Sequence, residues 1–140
     1  MTDQRPIVVG YDGRAGSQAA LAEAARLAEE LGAATLVVVF SHGVTPLGGE
    51  VADLEAAVEE RGRAVLQEAV DRVGDGIPVE TELRGESSAD GLVAVAEERG
   101  AQMIVVGSTG EGPIRGILIG STSYKLLHLS TTPVLVVRAG

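Results

Sequence analysis

The 140-residue sequence has no cysteine and no tryptophan, one phenylalanine, two tyrosines, two histidines and a single lysine. Each shortage excludes something. Without cysteine there are no disulfides and no thiolate metal sites, which fits a reducing compartment. The two histidines, His42 and His128, lie far apart in the chain, which argues against a histidine-built metal centre. Aromatics make up 2% of the residues and hydrophobics 45%, so the core has to be built from Val, Leu, Ile and Ala. Such a core suits helices packed on a buried sheet. No apolar run approaches the roughly 18 residues of a membrane span, and the opening "MTDQRPIVVGYDG" lacks the layout of a signal peptide. The expectation is a cytoplasmic protein. Basic charge is also scarce: 11 Lys and Arg face 20 Asp and Glu, a net charge of −9. Nucleic acid and anionic membranes, which need local cations, are set aside as partners.

Five short apolar runs are present: Ile7 to Tyr11, Leu36 to Phe40, Ile77 to Leu83, Met103 to Gly107 and Val134 to Val137. Four are nearly continuous, as in strands covered on both faces; "IPVETEL" alternates, as an exposed edge strand does. Between them, "SQAALAEAARLAEELG" carries one apolar stripe from a Ser17 cap to a stop at Gly32. The stretch Glu50 to Gly74 predicts a long helix, which Gly62 weakens by about 1 kcal/mol relative to alanine. "SADGLVAVAEERG" predicts a third helix, capped by Ser88 and ended by Gly100, and "STSYKLLHLS" a short fourth one. Strands alternating with helices imply right-handed crossovers and a parallel sheet, a doubly wound α/β domain. In such a sheet ligands sit beyond the C-terminal strand ends. That nominates "YDGRAG" after the first strand and "GSTGEGPIRGILIGSTS" after the fourth. The connection Ser41 to Glu50 serves as a lid or as a spacer.

The second of those loops fails two familiar phosphate motifs. "GEGPIRG" spaces its third glycine one residue late for a dinucleotide fingerprint, and Gly120, Ser121 and Thr122 stand where a Walker loop requires glycine, lysine and a hydroxyl. Physical chemistry leaves two alternatives. In one, Gly107 and Gly110 adopt positive φ and aim backbone amides at an anion. Gly120, Ser121, Thr122 and Ser123 then present a helix N-terminus and hydroxyls to the same group. In the other, the glycines make an ordinary turn and Ser121 is a helix cap. Asp12 has the same two faces, a ligand contact or a turn closed on its own backbone.

The spacing Gly107, two residues, Gly110, nine residues, Gly120, Ser121 resembles the G-x2-G-x9-G-[ST] signature of the universal stress protein family. "IVVGYDG", "SQAAL" and "TTPVLVVR" are similar to that family's first and last segments, so the resemblance spans the chain. It implies ATP binding, with Mg²⁺, by a single domain over residues 1–140 that acts as a nucleotide-sensing module in a stress response with little turnover. By resemblance Asp12 contacts the adenosine, Ser41 offers backbone to the adenine, Val106 and Gly107 lie against base and ribose, and Gly110, Gly120, Ser121, Thr122 and Ser123 surround the phosphates. The alternative is an interaction protein of the same fold that binds no nucleotide. It is favoured by Glu111, whose carboxylate repels a triphosphate unless it holds a divalent cation; Arg115 can offset it. Lys125 and both histidines lack any companion set for catalysis. The apolar "PVLVV" edge predicts a homodimer through the last strand, Val134 to Val137, as family members commonly form. An unknown protein partner reads the nucleotide state. The expected architecture is a five-stranded parallel sheet of order 3-2-1-4-5 with four helices on both faces.

Overall fold

The computed structural model describes residues 3–43, 49–108 and 120–138. Its elements follow in the order β1 Ile7–Gly10, α1 Ala15–Leu31, β2 Leu36–Ser41, α2 Gly49–Val73, β3 Val79–Arg84, α3 Ser88–Arg99, β4 Met103–Gly107, α4 Ser121–Leu129 and β5 Val134–Val137. All neighbouring strands pair in parallel, in the order β3-β2-β1-β4-β5. This is the predicted order. Ile7, Val8 and Val9 are fully buried, because successive side chains point to opposite faces and both faces are covered. Ile7, Val9, Leu36, Val38 and Val105 meet Ala20, Leu21, Ala24 and Ala28 of α1 and Leu66 and Ala69 of α2. Val8, Val37, Val39, Ile104 and Val106 meet Leu92, Val95 and Ala96 of α3 and Leu126 of α4. The helices therefore divide two and two. Crossovers leave β1 and β4 toward opposite edges of the sheet, and the crevice between their C-terminal ends is the switch point where ligands bind in this architecture.

Several local expectations shift. α1 begins at Ala15 with Arg14 as its N-cap, so Ser17 is a first-turn residue and not the cap. α3 starts one residue early, with Ser87 at the N-cap and Ser88 inside the helix. Gly32 and Gly100 end α1 and α3 in left-handed conformation as expected. The alternating strand is shorter at its start and lies at an edge, as its pattern required. Leu54, an apolar residue of α2, is 56% exposed. Gly62 has a positive role that propensity conceals: a Cβ there would come within 2.7 Å of both Phe40 Cδ1 and Leu83 Cδ1. Its missing side chain lets α2 close onto β2 and β3. Among the described residues no helix is long and apolar enough to cross a membrane. Residues 44–48 of the connection after β2 lie outside the described residues.

Candidate functional site

A cavity of about 300 Å³ opens at the C-terminal ends of β1, β2 and β4. Gly10, Tyr11 and Asp12 bound it from the first strand, Val39 to His42 from the second, and Val106 and Gly107 from the fourth. Val58, Leu92 and Thr122 close it from α2, α3 and α4. Apolar walls with a few convergent polar groups are the usual make-up of a small-molecule site.

The turn after β1 is braced by side chains. Asp12 Oδ1 accepts the Arg14 N–H at 2.9 Å and lies 2.9 Å from the Ser17 hydroxyl. Ser17 Oγ in turn accepts the N–H groups of Asp12 and Gly13 at 3.2 and 3.1 Å. Asp12 thus closes the turn on its own backbone with one oxygen. The turn and a ligand contact through the other oxygen are compatible. Below it, Tyr11 donates to Glu68 Oε1 at 2.7 Å. Burial, and then the Glu68 carboxylate, push the Tyr11 phenol up to about 12. The Tyr11 hydroxyl and then Arg72 hold the Glu68 carboxyl below its usual range.

The corner after β4 is built by proximity. Gly107 was expected to supply positive φ, but it does not adopt one. A Cβ on Gly107 would sit 2.5 Å from the carbonyl carbon and oxygen of Gly16, so β4 and the first turn of α1 touch backbone to backbone. Gly120, and not Ser121, is the N-cap of α4, and its N–H donates to the Ser108 carbonyl at 3.0 Å. The hydroxyl of Ser123 is buried and donates to the Gly107 carbonyl at 3.1 Å, so it ties α4 to β4 and does not face the cavity. Ser121 is exposed at the first position of the helix. Neither α1 nor α4 has an acidic residue in its first turn. The N-terminus of α1 carries the Asp12 carboxylate, which accepts the Arg14 N–H, whereas the first turn of α4, beside the cavity at Thr122, holds no acidic residue against its positive dipole end.

Of the sequence-predicted residues, Asp12, Ser41, Val106, Gly107 and Thr122 line one cavity, whereas Gly120, Ser121 and Ser123 stand behind Thr122 at the start of α4. Gly110, Glu111 and Arg115 lie outside the described residues. The side chain of Ser41 points at the turn before α3, where its hydroxyl bonds the carbonyls of Glu86 and Ser87. Its own carbonyl takes the Ser88 hydroxyl at 3.4 Å. His128 is exposed and meets Tyr124 edge-on with ring centroids 4.6 Å apart. His42 is a correction. Its side chain is 1% exposed, and Nε2 lies 3.5 Å from Glu59 Oε2, so a carboxylate is at hand. Sequence reasoning also missed Tyr11, Leu92 and the second task of Ser17. None carries a local signal, because each acquires its role from a neighbour brought in by the fold.

The model of the universal stress protein family matches residues 4–138. A universal stress protein of Mycolicibacterium smegmatis is 39% identical over 141 residues, covering 94% of this chain and 47% of that protein. The chain therefore spans about half the length of that relative. Among solved structures, a universal stress protein in complex with cAMP superposes with a TM-score of 0.77 at 28% identity, over 97% of this chain and 98% of that one. A universal stress protein from Archaeoglobus fulgidus in complex with dAMP gives 0.70 at 28% identity, over 94% and 96%.

Proposed function

The chain belongs to the universal stress protein family, and from that premise we propose that it binds ATP in the cavity at the ends of β1, β2 and β4. There it acts as a nucleotide-sensing regulatory module of the stress response, in the cytoplasm, with residues 1–140 as its domain. The observation that carries this reading is an apolar cavity at the strand ends that the first turns of α1 and α4 reach through Ser17 and Thr122, neither first turn holding an acidic residue. Apolar walls from Val39, Leu92 and Val106 suit a base, and a carboxylate oxygen of Asp12 suits ribose hydroxyls. Backbone amides at Ser121, Thr122 and Ser123 suit phosphate oxygens, with Gly120 opening the helix on its bond to Ser108; Gly110, outside the described residues, is assigned to that end by the family resemblance. The cAMP and dAMP complexes of two relatives support an adenine nucleotide as the ligand class.

None of the described lining residues is Lys or Arg. Mg²⁺ on the phosphates would supply the missing positive charge, held chiefly by the nucleotide's own oxygens. The proposed role is sensing with little turnover, since hydrolysis needs, besides the metal, a group placed to orient the attacking water. Isothermal titration with ATP and Mg²⁺ tests the reading. Binding at or below millimolar ligand, weakened by Gly120→Val, is expected. No heat at millimolar ATP, or a Gly120→Val variant that binds like the parent, leaves an interaction protein of the same fold.

The homodimer proposed for the chain is supported by the contrast between its two sheet edges. β3 is blunted by charge: Arg99 bridges Glu80 and Glu82 at 3.1 and 2.9 Å, and Arg84 bridges Glu86 and Glu98 at 2.7 and 3.0 Å. β5 presents "VLVV" with Leu135 36% exposed. An uncharged apolar edge favours pairing with a second copy about a two-fold axis. Sedimentation at micromolar concentration is expected to give a dimer, which Val136→Pro converts to monomer; a parent protein that sediments as a monomer removes this part of the reading.

A further inference from the structure

We propose that His42, Glu55 and Glu59 form a site for one divalent cation of the zinc class, on the α2 side of the cavity and apart from its phosphate-holding end. His42 immediately follows β2, and Glu55 and Glu59 stand one turn apart on α2, a spacing that puts both carboxylates on one helix face. One donor atom from each of the three residues lies within 4.8 Å of the others, and all three residues are half-buried. The imidazole itself is held by packing, with its side chain 1% exposed.

The distances leave room for a shared ion. His42 Nε2 and Glu59 Oε2 are 3.5 Å apart, beyond the roughly 3.2 Å limit of a good N–H···O hydrogen bond. A tetrahedral zinc ion with bonds of about 2.0–2.2 Å sets its donors roughly 3.3–3.6 Å from one another. The separation admits two ligands on one metal as well as a direct ion pair. Arg63 Nη2 approaches the other oxygen of Glu59, Oε1, only to 3.9 Å, which leaves Oε2 to the histidine side. Two carboxylates one helical turn apart repel each other, and a dication between them removes that repulsion. The imidazole selects the metal class: nitrogen donors suit zinc and its neighbours, whereas Mg²⁺ and Ca²⁺ prefer oxygen alone. Three protein ligands also leave one coordination position for water or for a donor atom of a bound molecule. His42 is a wall of the cavity, as is Val58 beside Glu59 on α2.

The proposal does not depend on nucleotide and is tested without it. The full chain, stripped with a chelator, is titrated calorimetrically with zinc chloride, and with Co²⁺ while visible absorption is followed. One ion per chain at micromolar concentration is expected, with a Co²⁺ spectrum of four- or five-coordinate type. Glu55→Gln, on the half-buried face of α2, is expected to weaken binding roughly tenfold or more while leaving the circular dichroism of the fold unchanged. His42→Asn is expected to weaken it at least as much, and His128→Asn to leave it intact. No uptake at tens of micromolar zinc, uptake unchanged by Glu55→Gln, loss on His128→Asn, or equal uptake of Mg²⁺ would each overturn the proposal. Because ATP is absent throughout, failure here leaves the nucleotide reading untouched.

Discussion

At the end of β1, side chains brace the turn into α1; at the end of β4, the absence of a side chain lets α1 close in and α4 dock. Ser17 and Asp12 satisfy three backbone N–H groups between them in the first corner. In the second, Gly107 meets Gly16 backbone to backbone, and one hydroxyl, from Ser123, holds α4. Both corners aim a helix N-terminus at the same cavity. The first is held by polar bonds that a ligand can share, the second by contact that tolerates no added atom.

Gly107→Ala is the severest way to break that contrast. Its Cβ has no side chain to push aside, only the Gly16 backbone at 2.5 Å, so the cost belongs at the upper end of overpacking, about 3 kcal/mol. Urea unfolding reads it directly; a loss no larger than that of an ordinary surface substitution means that the two backbones are not in contact. The next effect is smaller and pairs the corners. Ser17→Ala leaves the N–H groups of Asp12 and Gly13 without their acceptor, at about 2 kcal/mol, whereas Ser123→Ala deletes one bond to a carbonyl, at about 1 kcal/mol. Equal losses in the same urea experiment would erase the difference between the corners.

The smallest effect concerns pH. Tyr11 ties the first corner to α2 through Glu68, and its phenol ordinarily titrates at 10.0 but is raised to about 12 in the fold. A raised acid keeps its proton in the folded state while the unfolded chain gives it up. Stability is therefore complete below pH 10 and declines between pH 10 and about 12. Phenolate absorbance of a Tyr124→Phe variant, whose single remaining tyrosine is Tyr11, should rise late; Glu68→Gln should bring the rise earlier without restoring the ordinary value, because burial is the larger cause. A rise near 10.0 in the Tyr124→Phe variant would show that this corner is open to solvent.

How legible the site was depended on how local each cause is. Asp12, Val106 and Gly107 stand at strand ends, where apolar runs stop, and could be nominated from position alone. Ser17 was legible as a helix-start residue but not as the acceptor for two amides, since that depends on where the chain turns before α1. Gly107 lines the cavity, but the cause expected for it fails: its backbone adopts no positive φ, and the constraint comes from Gly16, ninety-one positions earlier in the chain. Ser123 was placed on the phosphates by resemblance, and its hydroxyl is already committed to the Gly107 carbonyl. His42 was dismissed for want of a carboxylate, which α2 supplies from seventeen residues further on.

Hydrophobic periodicity, stop signals and strand-helix alternation are properties of adjacent residues. They were enough to settle the parallel doubly wound sheet and the strand ends where a ligand would sit. Close approach is a property of residues far apart in the chain, and no spacing rule encodes it. Gly62 reads as a weak point in a helix until Phe40 and Leu83 arrive 2.7 Å from its missing Cβ. His42 reads as a solitary histidine until α2 lays Glu55 and Glu59 beside it. Packing, which acts only once the sheet has assembled, decided both.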